Sequence, residues 1–173
     1  KYMIEMTDLY PELGTKAERI EWIMPPPFGQ NHMRIHNDIV LNIIQTNLFK
    51  RPIYFGANIV SPMVFGLREA GYLRLDGLAY KLLPVRGYSL HPDILEHSLF
   101  NVFKYRCTNN SHVYYDRKCV SILHWQSKPF LKLAEYYLAN QLKDKAERVL
   151  VMMEKRIPPW RLPDKYYYIR DQM

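Results

Sequence analysis

Three kinds of residue in this 173-residue chain could carry chemistry: histidines at helical spacing, scattered carboxylates, and rings interleaved with cations. His32 and His36 lie four apart, so on a helix they would share a face, an arrangement that two metal ligands can use. Asp38 follows closely but points elsewhere if it caps the next helix, and no third ligand is apparent. His91, His97, His112 and His124 are dispersed, in the manner of surface or hydrogen-bonded histidines. Neither a metal nor another cofactor is therefore expected. Glu69 and Asp76 are candidate acids by location for glycoside chemistry, which needs two carboxyls that meet in three dimensions. A charge on a helix surface and a helix-ending turn explain them more simply. The glycines are scattered, none precedes a Lys-Ser or Lys-Thr pair, and there is no Gly-x-Ser-x-Gly elbow. No catalytic residue is assigned.

Rings meet cations in sequence at Lys104-Tyr105-Arg106, at Tyr114-Tyr115 before Arg117-Lys118, and at Trp125 before Lys128. Stacking platforms for single strands have this composition, but so do amphipathic helices whose rings are buried. The net charge is +7, concentrated in residues 50–86 and 104–132, while residues 1–24 are net acidic. No run of five like charges occurs, which favours a solvated basic face, and no nucleic-acid partner is expected. No stretch approaches the ~18–20 apolar residues that cross a bilayer, so the chain is expected not to span a membrane. It opens at Lys1 with no basic n-region or apolar signal core, so it reads as a piece of a longer protein whose targeting lies upstream. Cys107 and Cys119, with eleven residues between them, match no metal knuckle and no CxxC motif; a disulfide and two ordinary thiols are equally consistent with them.

The elements that must position these residues follow from periodicity and breakers. Thr15-Lys16-Ala17-Glu18 has capping-box spacing, and residues 20–24 read equally as helix or strand. Pro25-Pro26-Pro27-Phe28-Gly29 interrupts either one. Asn37 or Asp38 then caps a helix whose apolar face is Ile39, Val40, Ile43, Ile44 and Leu48, ended by Lys50-Arg51-Pro52. Ile53-Tyr54-Phe55 reads as a buried strand. Residues 67–75 look helical, with Asp76-Gly77 stopping them before a strand over 78–83; a hairpin turning at Asp76-Gly77 competes. Residues 92–105 form an amphipathic helix with Ile94, Leu95, Leu99, Val102 and Phe103 inward. Residues 107–112 are a polar loop, 113–115 read as a short strand, and Asp116 starts a long helical region.

From Phe130 the spacing reproduces a tetratricopeptide repeat. Leu133, Ala134, Tyr137, Ala146, Leu150 and Pro158 fall at its offsets, with Met153 in place of the usual small residue. The small Ala134 and Ala146 would let two antiparallel helices approach closely. One repeat does not bury both of its faces, so it should lean on the rest of the chain. The expected class is α+β: a small sheet with packed helices, then a TPR-like helical hairpin. The expected segments are 1–29 as extension and Pro-rich linker, 30–115 as core, 116–160 as helix pair and 161–173 as tail.

Read continuously, Asp38 to Ile44, Asn47, the block Lys50-Arg51-Pro52-Ile53-Tyr54-Phe55, Gly66-Leu67, Tyr72-Leu73 and Gly77-Leu78-Ala79-Tyr80-Lys81-Leu82-Leu83-Pro84-Val85 form one pattern. It resembles the C-terminal region of large bacterial membrane proteins, a family formerly of unknown function, whose N-terminal half is a multi-span, type-C-like glycosyltransferase domain. That family is similar to a eukaryotic transmembrane protein O-mannosyltransferase. The likeness runs over about residues 35–158, and departs from the family at Asp76, where Glu is expected, and at Phe49, where Trp is usual. It implies a periplasmic accessory or protein-interaction domain of an inner-membrane enzyme. The implied partners are the protein's own membrane-embedded half and a protein or peptide acceptor, with the catalytic carboxylate in that other half. Arg51 is expected to anchor the start of the strand by bonding carbonyls or a carboxylate, with Pro52 fixing the turn. The competing functions are a carbohydrate-active enzyme using carboxylates and a basic nucleic-acid-binding domain.

Overall fold

The computed structural model of the chain describes residues 2–5, 19–24, 35–47, 49–58, 65–87 and 89–162, with main chain alone at 2–5, 19 and 36. The capping box at 15–18, the proline run at 25–29, His32, Leu48 and the tail 163–173 lie outside the described residues. By its contacts the chain divides into two units, Lys1–Leu75 with Ala79–Ser89, and Asp76–Leu78 with Leu90–Met173. Together they give the expected α+β class.

In the first unit, residues that read as helix or strand are strand β2 (Arg19–Trp22), antiparallel to β1 (Tyr2–Glu5). Helix α1 (Ile35–Asn47) starts before the expected cap, so Asn37 and Asp38 lie inside it. Its buried stripe is Asn37, Leu41 and Ile44, with Val40 beside it, while Ile39 and Ile43 are 54% and 51% exposed. An apolar run this dense offers two stripes about one residue apart, and packing chose the other one. Phe49, at φ 60, turns the chain out of the helix.

A three-stranded antiparallel sheet follows, in the order β3 (Tyr54–Gly56), β5 (Ala79–Leu82), β4 (Leu73–Leu75). The expected helix over 67–75 is a single helical turn. Gly71 N–H bonds Arg68 O and Tyr72 N–H bonds Leu67 O, both at 2.9 Å, with Gly71 at φ 81. This is a Schellman ending, and it releases 73–75 to become a strand. The hairpin reading at Asp76-Gly77 therefore holds, with Leu75 opposite Tyr80 and Gly77 at φ 79. Phe55, Leu73 and Leu82 join Ile20, Trp22, Leu41, Ile44, Phe65, Leu67 and Tyr72 in the core.

In the second unit, α2 (Pro92–His97) runs into a π turn (Ser98–Val102), closed by Phe103 N–H on Ser98 O at 3.0 Å. The widened turn breaks the 3.6 period, which corrects the expected helix over 92–105. Leu95 and Leu99 are buried, but Ile94 and Val102 are exposed and Phe103 is half-buried in extended backbone. Residues 113–115 form no strand, and Tyr114 is 88% exposed. Asp116 is the N-cap of α3 (Arg117–Ala139), its Oδ1 accepting from Cys119 N at 2.7 Å. Three residues link α3 to α4 (Lys143–Arg156), a connection so short that the two helices pair antiparallel. The link repeats the Schellman pattern: Gln141 N–H bonds Leu138 O, Leu142 N–H bonds Tyr137 O, and Gln141 sits at φ 60. A short turn, Pro159–Arg161, ends the described chain.

Candidate functional site

The Lys-Arg-Pro block delivers the chain into β3. Pro52 has no N–H to leave unpaired there, and Leu82 N–H bonds Ile53 O at 2.9 Å, so pairing begins directly after it. Asn47 anchors this passage: its Nδ2 donates to Arg51 O at 2.6 Å. This corrects the role expected of Arg51, which contributes its carbonyl while its side chain is exposed. Across the sheet Tyr54 lies opposite Lys81, and Lys81 opposite Arg74, so one face carries two cations side by side. Both are buried and both are engaged with neighbours. The opposite face holds Phe55, Tyr80, Leu73, Leu75 and Leu82. Of the remaining residues in the family pattern, Lys50 is exposed, Leu78 half-buried, and Gly77 and Pro84 are buried.

In the helix pair, Phe130, Leu133, Ala134, Tyr137, Ala146, Leu150 and Pro158 are all buried, with Met153 beside them. Ala134 and Ala146 are fully enclosed, as close backbone approach requires. Tyr137 donates from its hydroxyl to Glu96 Oε2 at 2.7 Å, tying α3 to α2. Burial first, then the hydrogen bond and charge of Glu96, holds the Tyr137 phenol above its ordinary pKa.

Two arginines that sequence reading missed organise the irregular segment between the π turn and α3. Arg156, in the last turn of α4, donates from Nη1 to Leu99 O at 2.7 Å and Phe103 O at 3.2 Å, and from Nη2 to Phe100 O at 2.5 Å. Arg161 donates from Nε to Thr108 O at 3.2 Å and from Nη2 to Val113 O at 2.9 Å and to Asn110 O. Thr108 in turn donates from Oγ1 to Arg156 O. Segment 99–113 therefore satisfies carbonyls with guanidinium groups where a helix or sheet would use its ladder. The available signal was position: basic residues at a helix C-terminus seek carbonyls.

These arginines also meet the rings that sequence had placed beside other cations. Arg156 lies 5.2 Å from the Tyr105 ring centroid and Arg161 4.1 Å from that of Tyr115; of the three expected pairings only Trp125 with Lys128, at 3.5 Å, joins neighbours in sequence. Burial pushes the Tyr105 phenol up to about 12, with Arg156 pulling the other way.

The candidate acids fall apart by element. Glu69 stands on the helical turn before Gly71, on the wall of a cavity of ≈ 700 Å³ with Glu21, Trp22, Ile23, Gly66, Ala70 and Arg86. Arg86 there donates from Nε to Tyr72 Oη at 3.0 Å and from Nη2 to Glu21 O. Asp76 is in the hairpin turn, which belongs to the second unit. Among the described residues no three His, Cys, Asp or Glu side chains are grouped to hold a metal ion, and no helix is long and apolar enough to cross a membrane. Cys107 and Cys119 are both exposed free thiols.

Comparison with known proteins gives the same direction as the residue pattern. Residues 13–97 match the family model described as TMEM260-associated domain 2. The matched segment takes in the first unit from residue 13 onward, the hairpin and α2, and leaves out β1. No curated protein and no solved structure matches the chain.

Proposed function

We propose that this chain is an accessory, protein-interaction domain of a membrane-embedded, protein O-mannosyltransferase-like glycosyltransferase. The observation that carries this reading is the match of residues 13–97 to TMEM260-associated domain 2, taken together with the likeness of the residue pattern to the C-terminal region of O-mannosyltransferase-like membrane proteins. The engagement of the polar groups supports it. Arg156, Arg161 and Arg86 are turned onto main-chain carbonyls, and Tyr72 onto the main chain of Glu21, so they build a scaffold. Bond-making is then the task of the membrane-embedded half, and the α3–α4 hairpin is the surface that receives that half or a peptide acceptor. The parent is bacterial and sits in the inner membrane, with this domain on the periplasmic side.

The test is sugar transfer to a protein acceptor by the complete gene product, with and without this region. Membrane insertion is expected to persist and transfer to fall when the region is removed, while the isolated chain shows no transfer. Turnover of a glycosyl donor by the isolated chain would refute the reading.

A further inference from the structure

We propose that a cleft in the second unit, formed by the π turn, the extended segment after it and the end of α4, binds a phosphate monoester. Its walls are Phe100, Phe103, Lys104, Tyr105, Arg106 and Arg156, and its volume is ≈ 350 Å³. That size suits one small organic anion, at the lower end of the range of ligand cavities. Three of the six walls are cations, and no carboxylate is among the described residues that line it.

The charges are placed by the fold. Along residues 103–106 burial alternates, with Phe103 and Tyr105 half-buried and Lys104 and Arg106 exposed, and all four border the same cleft. Lys104 and Arg106 are exposed, and neither has a hydrogen bond or ion pair with a described residue. Arg156 is held rigidly by the carbonyls of Leu99, Phe100 and Phe103, which orient its guanidinium without neutralising its charge. Tyr105 adds an aromatic wall only: its ring packs on Phe130, and its hydroxyl is enclosed, with no hydrogen-bond partner among the described residues. Two cations with no partner among the described residues and one fixed cation match the two charges of a phosphate monoester better than the single charge of a carboxylate. Phe100 and Phe103 supply an apolar wall for the esterified group. The same phosphate chemistry is presented by a soluble ester and by a lipid headgroup.

Titration of the full chain with phenyl phosphate at low ionic strength, followed by amide NMR, should shift residues 100–106 and 156. The exposed pair Lys104→Ala and Arg106→Ala, made together, should weaken binding about tenfold, as loss of two solvent-facing charge contacts implies, and leave thermal stability unchanged. Inorganic phosphate should bind less tightly than phenyl phosphate if the two phenylalanines contribute. Phosphatidylcholine vesicles with and without phosphatidate separate the sources. Phosphatidate-dependent co-sedimentation that the double variant abolishes assigns the site to a headgroup, and phenyl phosphate binding without it assigns a soluble ester. Absence of both overturns the proposal, as does binding that the double variant leaves intact.

Discussion

Replacing Arg156 by methionine keeps most of the aliphatic stem and removes three hydrogen bonds at once, those to Leu99, Phe100 and Phe103 carbonyls. Hydrogen bonds from a charged donor contribute about 1.5–3 kcal/mol each, which sets an additive ceiling of about 4.5–9 kcal/mol. The carbonyls lie in partly buried, irregular backbone where water can replace some of what is lost, so about 3 kcal/mol is expected for Arg156→Met. That is a large share of the ~5–15 kcal/mol by which a domain is stable. Arg156→Lys should recover less than half, because a point-like ammonium does not span three carbonyls as a planar fork does. Arg148→Met is the control: its side chain is 68% exposed and 3.7 Å from Glu96, so its loss should stay under about 1 kcal/mol. Urea unfolding followed by circular dichroism gives the energies, and amide hydrogen exchange at residues 99–113 locates them. If Arg156→Met cost no more than Arg148→Met, the claim that guanidinium groups hold this segment would be wrong.

Positive backbone φ gives a graded series. Gly71→Ala should cost about 1–2 kcal/mol from the left-handed conformation alone, since its nearest neighbours leave room for a Cβ, with Gly87 N at 3.5 Å. Gly77→Ala should cost about 1–3 kcal/mol more, because the added Cβ would lie 2.7 Å from Phe103 Cζ. Gln141→Gly should stabilise by up to about 1 kcal/mol. Equal losses at positions 71 and 77 in urea midpoints would contradict the steric part. At the start of α3, the hydrogen bond from Cys119 N–H holds the Asp116 carboxyl below its ordinary pKa. Its capping contribution is thus present above the unfolded-state value and lost as pH falls through the lower, folded-state value. Asp116→Asn keeps an acceptor but does not titrate, so hydrogen exchange in the first turn of α3 should lose its acid dependence; an unchanged acid profile would refute the assignment.

The long helix pair was legible because its signals are local and agree with one another. Asp116 caps, the apolar residues from Phe130 to Leu150 keep one helical face, and the small Ala134 and Ala146 sit where the helices meet. The β3 block was legible as a strand, since Pro52 followed by Ile53-Tyr54-Phe55 suits its first residues, but not as a buried one: Tyr54 is 51% exposed and only Phe55 is buried. Elsewhere local signals were degenerate. Residues 67–75 hold a helical period and a strand pattern together, and both Gly71 and Gly77 suit a helix end by residue type; the fold uses Gly71.

Sequence by itself determined the α+β class, the helix pair and its buried positions, because periodicity and capping act over a few residues. Tertiary structure alone decided which of two stripes of α1 turns inward, that residues 98–102 widen into a π turn, and that Arg156 and Arg161 supply donors to carbonyls some 50 residues earlier in the chain. Those outcomes depend on which distant groups are left unsatisfied after the core has packed, and that accounting exists only once the chain has folded.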